Sequence, residues 1–269
     1  MILLLLISSL VVSSISLPFV RGMLLEGKIK KENFKGDLIP VGMGMTLIPV
    51  LIIHFVVLTY FYPHQMGVLL IYFGGIMTMA FVGMVDDLMG NRDTLGFKGH
   101  IGSLLKGKLT TGGFKAVMGG MIALLISFLI SSNVLQLIAN FLVIGLMTNL
   151  LNLMDLRPGR AIKSFGVIAL VFLFVGLTRE SIEILAIVAG YSIAYFPQDL
   201  KSRAMMGDVG SNTLGITLGI AVALSFTTTY KVIILIGLIA VHIVAEKYSI
   251  TKIIGGNRVL SYLDELGRN

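Results

Sequence analysis

The chain has 269 residues, of which 56% are hydrophobic and only 13% charged. A water-soluble domain carries about 25% charged residues, so a soluble globular fold is excluded and a membrane chain is implied. The absence of cysteine excludes a disulfide framework and thiolate chemistry, and the net charge of +7 asks which face it serves.

A bilayer-crossing helix needs roughly 17 to 25 apolar residues. Nine segments come close, near 1–20, 41–62, 66–85, 114–131, 134–151, 161–178, 182–197, 212–228 and 230–247. The expected fold is therefore all-α: a polytopic helical bundle of about nine membrane helices, read as one domain over 1–269. Alternating the loops puts 19 of the 21 Lys and Arg on one side and leaves only Arg179 and Lys231 on the other. Basic residues are retained in the cytoplasm, which predicts an external N terminus and a cytoplasmic C terminus. The first segment has no basic lead and is followed by Arg21, which favours a retained anchor over a cleaved signal.

The cytoplasmic loops hold the polar chemistry. FVGMVDDLMGN ends the third segment with Asp86 and Asp87, after a run without Lys, Arg, Asp or Glu since Asp37. Adjacent residues on a helix point about 100° apart, so the two carboxylates need different partners. One can face the bundle centre while the other holds a base, a backbone amide or a phosphate.

After the fifth segment, NLLNLMD places Asn149, Asn152 and Asp155 three residues apart, on one helical face about 120° wide. Such a face offers amide and carboxylate oxygens to one point. A hard cation such as Mg²⁺ suits oxygen donors and needs few of them when phosphates complete the shell. His54, His64, His100 and His242 show no zinc spacing, and His54 and His242 read as packed or hydrogen-bonded within spans.

Ahead of the eighth segment, MGDVGSN puts Asp208 between two glycines. Gly207 and Gly210 permit a tight turn, Ser211 or Asn212 can cap the following helix, and an exposed helix start would attract phosphate. Basic residues follow the acids: Arg157, Arg160 and Lys163 after Asp155, and Lys98, Lys106, Lys108 and Lys115 after the Asp pair. Guanidinium forks suit diphosphate oxygens, although retention on the cytoplasmic side also accounts for these positions. The basic face could serve anionic lipid headgroups or an anionic cytoplasmic substrate. Nucleic acid is not expected, since no soluble domain exists to read a groove.

The ordered set of Asp86-Asp87, Asn149-x-x-Asn152-x-x-Asp155 and Gly207-Asp208-x-Gly210-Ser211 resembles the polyprenyl-phosphate N-acetylhexosamine-1-phosphate transferases of glycosyltransferase family 4, from about residue 33 to the tail. The resemblance implies that a UDP-linked amino sugar gives its sugar 1-phosphate to polyprenyl (undecaprenyl) phosphate. UMP is released, in cell-envelope polymer synthesis at a bacterial plasma membrane. It implies Mg²⁺, with Mn²⁺ as a substitute, held by Asp208 and Asn152. Asp86, Asp87 and Asp155 become the catalytic carboxylates, and Asn149, Arg157, Arg160, Lys98, Lys108 and Ser211 the substrate contacts. A homodimer is one assembly open to such a bundle. Two departures point to a divergent subgroup: Asp155-Leu156-Arg157-Pro158 stands where Asp-Gly is usual, and the late His-rich motif is missing. Competing readings are a secondary transporter and a non-catalytic scaffold that keeps the lipid-phosphate site. Carboxylates gathered on one face, not at mid-membrane, speak against transport.

Overall fold

The computed structural model describes residues 1–90 and 109–268. Lys98, Lys106 and Lys108 lie outside the described residues. Among the described residues nine long helices match the nine apolar segments: α1 (Ile2–Glu26), α2 (Leu47–Phe61), α3 (Met66–Met89), α4 (Thr111–Ile130), α5 (Val134–Met154), α6 (Arg160–Val175), α7 (Arg179–Leu200), α8 (Gly207–Ser225) and α9 (Thr228–Lys247). Two short helices, α10 (Ile250–Gly256) and α11 (Arg258–Glu265), form the tail. Seven of the described helices are long and apolar enough to cross a bilayer. The two that fall short are α6, with 16 residues, and α7, which carries Arg179, Glu180, Glu183 and Asp199. The bundle is thus all-α and polytopic as expected, with seven strong spans in place of nine.

Side-chain caps fix several helix starts. Thr110 accepts from Gly113 N (3.0 Å), Asn133 from Gln136 N (2.9 Å) and Thr178 from Ser181 N (3.4 Å), each satisfying an N–H with no partner in its own helix. Apolar side chains such as Phe19, Tyr60, Phe128 and Phe174 remain on the outside. That is the outward face lipid requires, because a bilayer asks for satisfied backbones and not for buried hydrocarbon.

Helix α8 is the axis of the bundle. It buries 16 of its 19 residues and packs chiefly on α5 and α3. Its hydroxyls are satisfied internally: Thr213 donates to the Gly210 carbonyl (2.7 Å) and Thr217 to the Thr213 carbonyl (2.7 Å). A buried polar helix is thereby stable without water. The helix starts at Gly207, five residues before the apolar segment at 212. Ser211 and Asn212 therefore lie inside the first turns and do not cap the helix.

A hairpin unforeseen from the helical pattern crosses one end of the bundle. Strands β1 (Lys30–Glu32) and β2 (Leu38–Pro40) pair antiparallel. Their turn is closed by the Asn33 side chain, which accepts from Lys35 N (2.8 Å) and Asp37 N (3.0 Å). The chain leaving β2 then runs beside the loop ahead of α8, with Met205 N donating to the Pro40 carbonyl (2.7 Å) and Gly44 N to the Met206 carbonyl (3.0 Å). Loops distant in sequence are thus bound edge to edge next to α3.

Candidate active site

A cavity of about 720 Å³ lies between this hairpin, the last turns of α3, α5 and α7, and the first turn of α8. Asp86, Asp87, Asp155, Asp199 and Asp208 all line it, together with Asn152, Arg157, Lys30 and Lys31. The acidic residues of three separate motifs therefore meet in one place.

The meeting depends on Gly83. A Cβ there would stand 2.5 Å from the backbone of Asp208 and Val209, so only glycine lets α3 touch the start of α8. One turn further along α3, Asp87 reaches over that start and accepts from Asp208 N (3.0 Å) and Val209 N (3.2 Å). Met206, at the N-cap position of α8, makes no side-chain cap, and a carboxylate from another helix does the work. The preceding Gly207 has φ +73° and no space for a side chain beside Asp87, as the left-handed turn requires. The start of α8 is consequently engaged by a carboxylate and is not the open phosphate cradle that MGDVGSN suggests. The two adjacent aspartates do divide as their 100° separation implies, since Asp87 is buried and Asp86 faces Lys115.

Lys115, from the first turns of α4, is the centre of the cluster. Its Nζ pairs with Asp208 Oδ2 and lies 3.9 Å from Asp86 Oδ2. Asn152 is satisfied with its amide nitrogen towards Asp208: it donates to Asp208 Oδ1 (2.9 Å) and to Ser211 Oγ (3.2 Å), and its oxygen accepts from Lys115 Nζ (3.0 Å). The reversed amide would set oxygen against carboxylate and N–H against ammonium. Two carboxylates and an amide oxygen thus converge on one positive charge.

The same cavity holds a second acidic group. Asp155 follows the last turn of α5, and Asp199 closes α7, where it accepts from Gly159 N (2.9 Å). Burial first, then the charges of Asp199, Asp208 and Asp87, push the Asp155 carboxyl well above its ordinary range. At the rim, Lys31 Nζ reaches the Asp86 carbonyl (3.4 Å) and the Arg157 guanidinium lies 4.7 Å from the Phe34 ring centre. That stacking orients a fork of donors at the cavity wall.

Other residues named from the sequence are placed elsewhere. Arg160 is buried and forks on to Asp264 (2.8 Å to each carboxylate oxygen) with a further bond to Thr251 (3.1 Å), and it does not line the cavity. Its donors hold the tail, helped by Lys163, which donates to the carbonyls of Leu263, Asp264 and Leu266. Asn149 is exposed on α5 and does not line the cavity, because it stands nearly one turn before the level at which the cavity begins. Ser211 is fully buried; it donates to the Gly207 carbonyl (3.2 Å) and supports Asn152 without reaching the cavity. His54 is held by the Val50 carbonyl (2.7 Å) and Ser8 (2.9 Å), a packed residue as expected.

Lys31 and Asp199 were not singled out from the sequence, and Lys115 was named only as one of several loop lysines, from which nothing in the sequence distinguishes it. Asp199 lies at the end of SIAYFPQDL, two residues after a proline inside the helix, and an acid at the end of an apolar segment was a signal of the same kind as Asp86 and Asp87.

An apolar bundle with acids at the ends of four helices gathered in one cavity, two of them on a lysine, defines a polytopic membrane protein organised about a charged site. The glycosyl transferase family 4 model matches residues 69–227, more than half of the chain, and the protein belongs to that family. It is accordingly a membrane transferase that passes a sugar phosphate to a polyprenyl-phosphate acceptor. The match takes in Asp86, Asp87, Lys115, Asn152, Asp155, Asp199 and Asp208; it stops short of the hairpin and tail, which the sequence resemblance had included. No curated protein matches the chain.

Proposed function

We propose that the protein transfers the sugar 1-phosphate of a UDP-linked amino sugar to undecaprenyl phosphate, releasing UMP, as a Mg²⁺-dependent step in bacterial cell-envelope synthesis. The observation that carries this reading is the convergence of Asp86, Asn152 and Asp208 on Lys115 inside a cavity rimmed by Lys31 and Arg157.

Among the described residues no cluster of three or more His, Cys, Asp or Glu side chains forms a metal cage. Mg²⁺ does not need one, since one or two carboxylates and substrate phosphates usually suffice. The donors fit: Asp208, Asp86 and the Asn152 oxygen already face a single cation in Lys115, and these three would hold the metal. When bound, Mg²⁺ would neutralise charge on the diphosphate.

The residues of the chain then divide the work. Arg157 and Lys31 bind phosphate oxygens at the rim. Lys115 stays close enough to screen the incoming acceptor phosphate from Asp86 and Asp208. An oxygen of that acceptor attacks the β-phosphorus of the nucleotide, the bond from that phosphorus to the bridging oxygen breaks, and UMP carries the bridging oxygen away. Asp87 fixes the start of α8 and so the position of Asp208.

The test is to incubate the full-length protein with Mg²⁺, undecaprenyl phosphate and a panel of labelled UDP-sugars. Lipid-linked label with one UMP released per transfer supports the reading, and a panel identifies the sugar. Label bound or carried across a vesicle with no UMP formed overturns it in favour of a scaffold or transporter.

A further inference from the structure

A second cavity, of about 560 Å³, lies between the ends of α1 and α7 and is lined by Pro18, Arg21, Gly22, Leu25, Gln198 and Arg203. Pro18, Arg21, Gly22 and Leu25 stand at helical spacing on one face of α1, and Arg203 comes from the loop after α7. The cavity lies at the same end of the bundle as the active site. Leu24 of α1 and Asp87 both approach Gly42, and Ser202 and Ala204, the neighbours of Arg203, line the first cavity.

Its chemistry is one-sided. Two arginines line it, and among the described residues no acid does. Neither arginine has an ion-pair partner among the described residues. The remaining wall is apolar side chain, glycine and one amide. Two arginines without an ion-pair partner among the described residues, set in an apolar wall, match a phosphate carried on an acyl chain, since bidentate forks take its oxygens. Basic pockets between membrane helices on the cytoplasmic side hold anionic headgroups in this way. Free phosphate would satisfy the forks but leave the apolar wall unused.

We infer that the groove between α1 and α7 is a binding site for the headgroup of an anionic glycerophospholipid, separate from the transfer site. Because residues 202–204 alternate between the two cavities, a bound headgroup holds the wall of the active site through Arg203. The inference does not depend on the proposed reaction, since its readout is lipid binding.

The experiment is native mass spectrometry of the full-length protein with phosphatidylglycerol, phosphatidylcholine of the same acyl chains, undecaprenyl phosphate and inorganic phosphate. Wild type should retain phosphatidylglycerol in preference to phosphatidylcholine, and inorganic phosphate should compete poorly. R21Q with R203Q should weaken phosphatidylglycerol binding by about thirtyfold, equivalent to roughly 1 kcal/mol for each basic residue. Gly22→Leu provides a variant that keeps both charges. A Cβ at Gly22 meets nothing within 4 Å and leucine favours the helix, so the side chain fills the groove without disturbing α1. It should lower phosphatidylglycerol binding and leave undecaprenyl phosphate binding unchanged. Equal retention of the two phospholipids, or full binding by both variants, overturns the inference. So does loss of undecaprenyl phosphate alone, which would assign the groove to the acceptor, or full competition by inorganic phosphate.

Discussion

Replacing Asp87 separates two jobs laid on one carboxylate. Its oxygens accept from Asp208 N and Val209 N at 3.0 and 3.2 Å, and it is 7% exposed, so water cannot substitute for it. A side-chain cap contributes about 1 kcal/mol and up to about 2 kcal/mol where it is buried. Asp87→Ala, which loses the cap, should cost roughly 1–2 kcal/mol. Asp87→Asn keeps one acceptor but turns an N–H towards the second backbone N–H, and should cost about half as much. Both variants should fold, because Gly83 still brings α3 against α8. Thermal unfolding in detergent should rank wild type above Asn above Ala. Transfer should fall by about a hundredfold or more in each, the scale expected when groups positioned for developing charge are displaced. An Ala variant as stable as wild type would refute the cap, and wild-type turnover in both variants would remove Asp87 from the site.

The remaining predictions test the neighbours of Asp87. Asp155→Asn should leave stability unchanged or raise it at neutral pH, since burial and Asp199 already disfavour the Asp155 charge; a marked loss on thermal unfolding would show that the charge is needed. Lys115→Met should reduce turnover yet tighten Mn²⁺ binding, read by electron paramagnetic resonance, by about tenfold or more, because an ammonium beside the same oxygens repels a divalent ion by several kcal/mol at an effective dielectric of about 20. Weaker or unchanged Mn²⁺ binding would place the metal elsewhere. Arg160→Ala should cost about 1.5–3 kcal/mol through its lost charged hydrogen bonds to Asp264, although Arg268 still holds that carboxylate, and expose 248–268 to protease, with nucleotide affinity little changed; a large fall in affinity with the tail still docked would restore Arg160 to substrate binding. The same clamp sets an acid limit. Burial alone would raise Asp264, but its bonds and charges with Arg160 and Arg268 hold it at about 2, below the ordinary 3.8. A depressed carboxyl stabilises above its unfolded value and loses that contribution as pH falls through the folded one. Tail protection should therefore persist down to pH about 4 and vanish between about 4 and 2, whereas loss near pH 6 would exclude Asp264 as the titrating group.

Much of this site was legible because membrane segments expose their exceptions. In an apolar run Asp86, Asp87, Asn152 and Asp155 stand out, and helical geometry alone predicts that Asp86 and Asp87 find different partners. What stayed hidden depends on packing. The start of α8 was misplaced because its first turns are polar and rich in glycine, and they are helical only through burial and a cap supplied from α3, 121 residues away. The hairpin has strands of three residues, too short for alternation to register. Arg160 and Arg157 sit three residues apart with the same charge, and only the tail's Asp264 decides that one forks inward and the other stacks on Phe34. Asn149 shares a periodicity with Asn152, but the cavity begins one turn later, at a level fixed by Gly83 on another helix.

The charge balance of the cavity is the strongest physical support for a cation accompanying the substrate. Among the described residues six carboxylates line it, those of Glu32, Asp86, Asp87, Asp155, Asp199 and Asp208, with Lys30, Lys31 and Arg157, and Lys115 is joined to Asp86 and Asp208. Carboxylates so close cannot all ionise without help, and Asp155 is already pushed towards its protonated form. On the proposed reading, a nucleotide diphosphate and a lipid phosphate would add several more negative charges beside these carboxylates, and positive charge or protons entering with them would offset that. A divalent ion carried in on the diphosphate would bring that charge to the place where Asp208, Asp86 and Asn152 already converge on Lys115, and the lysine, released from those oxygens, would then serve the second phosphate. If so, nucleotide affinity should depend steeply on divalent ion while lipid-phosphate affinity does not. Equal dependence of both, measured by binding titration with and without Mg²⁺, would mean that the carboxylates are neutralised by protons instead.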